Sequence, residues 1–185
     1  MSKASLRKTL NGFTAPQLLD IILDLYSKSR EAKEILDFFA SPDLDKKSDE
    51  YLNLIIKEIY RTRHYVPAMR VREIRSIIKR FSKLEPGDEA VARLMVNTIL
   101  EICKYAKNNY LEENKVEQVV KLFSDTLKEL CSTRLFEEYA PRLRKTLSEI
   151  RPNDKYCYIR TELMRELKRA EEGNFSDEDD DFLAN

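Results

Sequence analysis

The segment with the strongest chemical character is RTRHYVPAMRVREIRSIIKR, residues 61 to 80, which holds seven Lys and Arg residues and a single acid. Cations at this density can contact the phosphates of a nucleic acid or the carboxylates of an acidic protein surface. On a helical wheel, four cations of this region fall on one side, nearly opposite the apolar residues. We call these four the basic stripe: Arg72, Arg75, Lys79 and Lys83. As a helix, the stripe spans about 16 Å, enough to lie along several phosphates.

The same pattern is also typical of a helix whose outer side is solvated by long charged side chains. The apolar residues of the segment occupy the opposite arc and are Val71, Ile74, Ile77, Ile78 and Phe81. Arg70 falls near this arc, so we expect it to extend to solvent or to pair with an acid from a neighbouring helix. Tyr65 is the nearest aromatic residue that could stack on a base, which favours a phosphate or protein-acid contact over single-strand recognition. The residue types alone leave both the solvated face and the polyanion site open.

Residues suited to catalysis or metal binding are sparse. His64 is the chain's only histidine, so it cannot supply the two Glu-x-x-His motifs of a di-iron bundle, and no catalytic triad stands at fixed spacing around it. We expect His64 at the surface, near the end of a helix. Asp20 and Asp24 lie four residues apart and could serve metal-dependent phosphotransfer if another helix supplied further acids. We therefore predict no catalytic residue, no bound metal and no cofactor, and keep as an alternative a metal-dependent hydrolase that uses acids from several helices.

The composition limits the partners and the compartment. The chain of 185 residues has 33 Lys and Arg and 33 Asp and Glu, so attraction to nucleic acid must come from local patches. The start, MSKASLRKTLNGF, has no apolar run suited to a signal peptide, and no later run reaches membrane-spanning length. Cys103 and Cys131 follow apolar residues at helical spacing, which predicts two small core side chains. These features predict a cytoplasmic protein without a membrane segment.

Helical periodicity and helix caps recur along the chain, and we identify no convincing strand. In FTAPQL, residues 13 to 18, Thr14 and Gln17 can form a capping box at the start of a helix. A long helix is predicted over residues 43 to 63, and Pro141 is expected to kink or break another. We predict an all-α fold of about eight helices in consecutive antiparallel hairpins, with pairs starting near residues 15, 43, 88 and 135. A stacked, solenoid-like α-hairpin array and an irregular helical bundle both fit, and the spacing of the pairs favours the array.

A family resemblance supports the helical prediction. The order LRKTLNGFTAPQLLDIILDLYSKSREAKEILDFFASPD, then RVREIRSIIKRFSKLEP and then a long apolar helix resembles an uncharacterised family of short bacterial helical proteins. That family is catalogued as a domain of unknown function, and the resemblance covers about residues 5 to 130. It implies an all-helical bacterial protein and brings no catalytic residues with it.

Helical hairpins offer broad surfaces, and together with the lack of catalytic motifs they favour a non-enzymatic module that binds another protein. The first alternative is a protein that binds nucleic acid or another polyanion through the basic stripe. The metal-dependent hydrolase is the second. No membrane partner is expected, and a homo-oligomer is left open.

The end of the chain differs sharply in composition from the rest. We predict one helical domain over residues 1 to 172 and an acidic tail over residues 173 to 185, GNFSDEDDDFLAN. The tail positions expected to reach the basic stripe are Asp177, Asp179, Asp180, Asp181 and Phe182. We hypothesise that the tail, from the same or a neighbouring protomer, transiently covers the stripe. Each exposed ion pair contributes only about 0 to 1 kcal/mol, so the contact should be weak and salt-sensitive.

Truncation after Gly173 is therefore expected to tighten the binding of nucleic acid or acidic proteins at low salt, because the tethered tail no longer competes for the stripe. Fluorescence anisotropy with a labelled nucleic acid compares the truncated and full-length chains directly. Equal affinities at low salt would contradict the hypothesis.

Overall fold

The computed structural model describes residues 2–64, 66–150 and 158–173. Within these residues it contains nine helices and a short antiparallel ribbon of two strands. The helices are α1 (Lys3–Leu10), α2 (Ala15–Lys28), α3 (Arg30–Ala40), α4 (Leu44–Ile59), α5 (Val71–Ser82), α6 (Asp88–Ala106), α7 (Glu113–Ser132), α8 (Phe136–Ser148) and α9 (Ile159–Glu171). The strands are β1 (Thr62–Arg63) and β2 (Val66–Pro67). The predicted all-α fold class is confirmed.

The chain divides into two compact units. The N-terminal unit comprises residues 1–43 with α1 to α3, and the C-terminal unit contains α4 to α9. Residues 174–185 lie outside the described residues, and with them the tail positions Asp177, Asp179, Asp180, Asp181 and Phe182. The contact between the tail and the basic stripe therefore stays a prediction, as does the domain boundary at residue 172.

Side chains fix the helix ends of the N-terminal unit. At the start of α2, the backbone N–H of Thr14 donates to Oε1 of Gln17 at 2.9 Å, and the predicted capping box is confirmed. Ser29 ends α2 and begins α3, where its Oγ accepts an N–H of the first turn at 3.2 Å. The hydroxyl of Tyr26 on α2 donates to Oδ1 of Asp37 on α3 at 2.9 Å. No residue of these three helices is buried.

Helix α6 forms the centre of the C-terminal unit. Thirteen of its nineteen residues are buried, and it packs against α4, α5, α7 and α8. The consecutive pairs α4/α5, α6/α7 and α8/α9 each pack together, and the middle pair contacts helices of both others. Helix lengths in these pairs range from 12 residues in α5 to 20 in α7, so no regular unit repeats. The packing is irregular, which corresponds to the second of the two arrangements predicted from the sequence.

The segment between α4 and α5 departs from the predicted helix over residues 43 to 63. Helix α4 ends at Ile59, and His64, which follows β1, adopts a positive φ of 49°. The backbone N–H of Ala68 donates to the carbonyl of Arg61 at 2.8 Å and extends the pairing. Proline at position 67 is compatible with an extended chain, and both strands contain a β-branched residue, which favours pairing. The prediction without strands missed this ribbon.

Helix α8 continues without a break through Pro141. Proline has no N–H to donate to the carbonyl four residues earlier, here that of Glu137, and its ring crowds that carbonyl. The predicted break is therefore absent, and Pro141 weakens the helix without ending it.

Replacing Pro141 with Ala is expected to raise the free energy of unfolding by about 1 to 2 kcal/mol, since the restored hydrogen bond outweighs the added freedom of the unfolded chain. Urea unfolding followed by circular dichroism measures the change. Pro16→Ala is the matched control, because Pro16 lies in the first turn of α2, where its missing N–H has no helical partner. A gain from Pro16→Ala that equals or exceeds that from Pro141→Ala would contradict this explanation.

Candidate functional site

The basic stripe is divided between two environments on α5. Arg72 and Lys83 are exposed, whereas Arg75 and Lys79 are half-buried. The helical wheel placed Arg75 opposite the core, but the structure shows it against α7. That expectation was wrong because a wheel describes one helix and cannot show a second neighbour beside it.

Arg75 forms an ion pair between α5 and α7. Its Nη2 atom donates to Oδ2 of Asp125 at 2.6 Å, and the two side chains are only 21% and 6% exposed. Burial raises the pKa of the Asp125 carboxyl, even though Arg75 and, more weakly, Lys121 and Lys128 favour its charged form. A raised pKa means that ionisation costs more free energy in the folded than in the unfolded chain, and that this cost is relieved as the pH falls through the folded pKa. The pair therefore contributes more to the specificity of the contact between α5 and α7 than to the free energy of unfolding.

Helix α7 adds two cations that the sequence analysis missed. Lys121 lies four residues before Asp125 and Lys128 three residues after it, so both belong to the same face of α7. Lys121 is exposed and Lys128 is half-buried. No signal within α7 alone marks these residues, because their relation to the basic stripe arises only from the packing of α5 against α7.

The residues before α5 behave largely as the sequence predicts. Nε of Arg70 lies 2.9 Å from Oε2 of Glu58 on α4, and its Nη2 lies 3.5 Å from Oε1 of Glu73. The predicted pairing with an acid of a neighbouring helix is confirmed, although the Nε–H is not aligned for a hydrogen bond with Glu58. His64 is exposed in the loop of the ribbon, as expected. Tyr65 lies outside the described residues.

Acids from different helices line two clefts of the C-terminal unit. A cleft of about 600 Å³ is bordered by Asp45 and Asp49 of α4 and by Asp88 and Glu89 of α6. A second cleft, of about 340 Å³ between α7 and α9, is bordered by Glu117, Asp125, Glu162 and Glu166, together with Lys121 and Arg169. Across the described residues, no three acid, histidine or cysteine side chains are placed to hold a metal ion. Neither cleft therefore supports the hydrolase alternative.

Asp20 and Asp24 are both exposed on α2, and Oδ2 of Asp24 lies 2.7 Å from Nζ of Lys28. Both acids therefore lie on the solvated side of α2, where an ion pair contributes little to stability.

The two described cysteines differ in environment. Cys103 is buried in α6, and burial raises the pKa of its thiol to about 12, which keeps it protonated and unreactive. Cys131 is exposed, so its prediction as a core side chain was wrong. The helical spacing of Cys131 indicated a position near the apolar face of α7. The residue lies at the end of that helix, however, and is exposed there. Cys157 lies outside the described residues.

The N-terminal unit carries an apolar surface that the sequence analysis did not identify as exposed. Of the twelve large apolar side chains exposed in the described residues, eight lie in residues 1–43. We call those on α2 and α3 the apolar surface: Leu19, Ile22, Leu23, Leu25, Ile35 and Phe39. The periodicity of α2 predicted an apolar helix face, but it could not show whether another element covers that face.

Replacing Asp125 with Ala is expected to lower the free energy of unfolding by about 2 to 3 kcal/mol, because Arg75 would lose its partner in a half-buried position. The double variant Arg75→Met with Asp125→Leu should recover most of this loss, since it removes both charges and fills the space with apolar atoms. Urea unfolding of the wild type, of Arg75→Met, of Asp125→Leu and of the double variant measures the coupling between the two side chains. Asp125→Ala is measured beside them. Asp24→Ala, which removes an exposed ion pair, is the control, and an equal loss in both Ala variants would count against a buried pair.

None of the helices in the described residues is long and apolar enough to cross a membrane. No curated protein and no solved structure matches the chain. Residues 1–156 match the family of unknown function DUF6155, a longer range than the resemblance noted in the sequence. Because the match covers most of the 185 residues, the chain belongs to the family DUF6155.

Proposed function

We propose that this chain is a non-enzymatic helical module that binds a partner protein through the apolar surface of its N-terminal unit. The observation that carries the proposal is the exposure of that surface. Soluble proteins rarely leave contiguous apolar patches in water, and larger patches mark sites of association.

The side chains of the apolar surface have much of their burial energy still to gain. Leu19 and Leu23 are each 55% exposed, and Phe39 is 83% exposed. Full burial of a Leu or Phe side chain contributes about 1.5 to 3 kcal/mol, so a partner that covers this surface gains about 1 kcal/mol at each leucine and more at Phe39. Leu19, Ile22 and Leu23 are spaced three and four residues apart, which places them together on one face of α2.

The charge of the N-terminal unit indicates how the partner is recognised. Residues 1–43 contain six Lys and Arg and six Asp and Glu, so the unit has no net charge. Every residue of the apolar surface is uncharged, so the partner should present a mainly apolar surface. Binding driven by apolar burial depends only weakly on salt.

A photoreactive benzoylphenylalanine at position 39 tests the proposal in the native cell. We expect a covalent adduct with a partner protein on irradiation, because Phe39 is exposed within the apolar surface. The same residue at position 110 is the control, since Tyr110 is also exposed, at 57%, but lies in the C-terminal unit. Mass spectrometry identifies the adduct.

Polar variants of α2 show whether the adduct depends on the apolar surface. Leu19→Gln with Leu23→Gln should abolish it, whereas Asp20→Asn with Asp24→Asn, on the polar side of the same helix, should preserve it. The proposal fails if position 39 gives no adduct, or if both double variants reduce the adduct equally.

A further inference from the structure

We propose that the cations of α5 and α7 form one surface that binds the phosphate backbone of a nucleic-acid duplex without reading its sequence. This surface lies in the C-terminal unit and is separate from the apolar surface of the proposed function. We call it the basic surface, and its residues are Arg72, Arg75, Lys79 and Lys83 of α5 with Lys121 and Lys128 of α7.

The region around α5 has a strong local charge in a chain whose total charges balance. Residues 57–83 contain nine Lys and Arg and two acids, a net charge of +7, while the whole chain has 33 of each sign. Both acids, Glu58 and Glu73, lie within ion-pair distance of Arg70, and seven cations remain in excess. The positive charge of this region is therefore not neutralised within the segment itself.

The ion pair between Arg75 and Asp125 lies at the centre of the basic surface. On α5, Arg72 and Lys79 lie one helical turn to either side of Arg75. On α7, Lys121 and Lys128 lie one turn to either side of Asp125. Because Asp125 compensates Arg75, the positive charge of this surface comes from the cations around the pair, while Glu117, Glu162 and Glu166 border it on the side of α9.

The dimensions of the basic surface fit a duplex. The row of cations on α5 extends about 16 Å along its helix and the row on α7 about 10 Å, and packed helix axes lie about 8 to 10 Å apart. A duplex carries one phosphate charge for about every 1.7 Å of its axis, so about six phosphates pass over a length of 10 Å. Arg72, Lys83 and Lys121 are exposed and can contact phosphates directly. Lys79 and Lys128 are half-buried, and their charge adds to the attraction whatever contacts they make within the protein.

Two observations favour a duplex over other polyanions. None of the large apolar side chains exposed in the described residues lies on α5 or α7, and protein interfaces usually depend on apolar or aromatic anchors. Neither α5 nor α7 exposes an aromatic ring on which unpaired bases could stack, and the exposed ring of Tyr158 lies in the acid-lined cleft between α7 and α9. Cations without anchors or stacking rings suit a regular phosphate backbone best.

Fluorescence anisotropy with the full-length chain and a labelled 20-base-pair duplex tests the proposal. Three phosphate contacts predict a slope of about −2.7 for log affinity against log salt, which is a loss of about 40-fold between 50 and 200 mM salt. Arg72→Gln with Lys121→Gln should weaken binding at 50 mM salt by at least about tenfold and reduce the slope by about 1.8.

The matched control is Arg142→Gln with Lys145→Gln, which removes one Arg and one Lys from exposed positions of α8. It should leave both affinity and slope nearly unchanged. The proposal is overturned if the wild-type chain does not bind the duplex at 50 mM salt, or if the control loses as much affinity as the α5/α7 variant. It is also overturned if polyglutamate binds through Arg72 and Lys121 while the duplex does not, since the surface would then fit an acidic protein.

Discussion

Burial of α6 is the constraint on which the C-terminal unit depends. A helix with buried residues on nearly all sides needs neighbours on all sides, because each Å² of apolar surface left in water costs about 25 cal/mol. Four helices, α4, α5, α7 and α8, provide this cover. As a consequence α5 and α7, which α6 separates in the sequence, become direct neighbours, and Arg75 reaches Asp125 across fifty positions of the chain.

Polar contacts at the edges of this core decide how α5 is oriented. Arg80 donates from Nε to the hydroxyl of Tyr51 on α4 at 3.1 Å, while Arg75 reaches α7 on another side of the helix. The rings of Tyr51 and Phe81 pack with their centroids 5.1 Å apart. The apolar and the polar contacts therefore favour the same rotation of α5 about its axis. Since burial raises the pKa of Asp125 in spite of Arg75, we attribute the stability of the interface to apolar packing and its specificity to the charged pair.

Local patterns predicted the local features of the fold, and contacts between distant segments account for what they missed. The capping box of Thr14 and Gln17 involves residues three apart, and it was visible in the sequence. The end of α4 at Ile59 was not, because the ribbon after it depends on pairing of Thr62 and Arg63 with the chain beyond the loop. The same limit applies to the basic surface, where the α5 row was predicted and the α7 row was not, since only tertiary packing brings Lys121 and Lys128 beside α5. It also applies to α2, whose periodicity shows an apolar face but not what covers it.

The two proposed binding surfaces differ in the interaction that drives binding, and therefore in how their affinities depend on salt. At the apolar surface, the free energy of binding the proposed partner would come from removing apolar atoms from water and would be nearly independent of salt. Binding of the proposed duplex to the basic surface would gain affinity by releasing counterions, and that gain would fall steeply as salt increases. On these two proposals, a change in ionic strength would alter binding at the basic surface and leave binding at the apolar surface almost unaffected. Because the residues of each surface lie in a different unit of the chain, substitutions in one unit can alter one kind of binding while the other serves as an internal reference for correct folding.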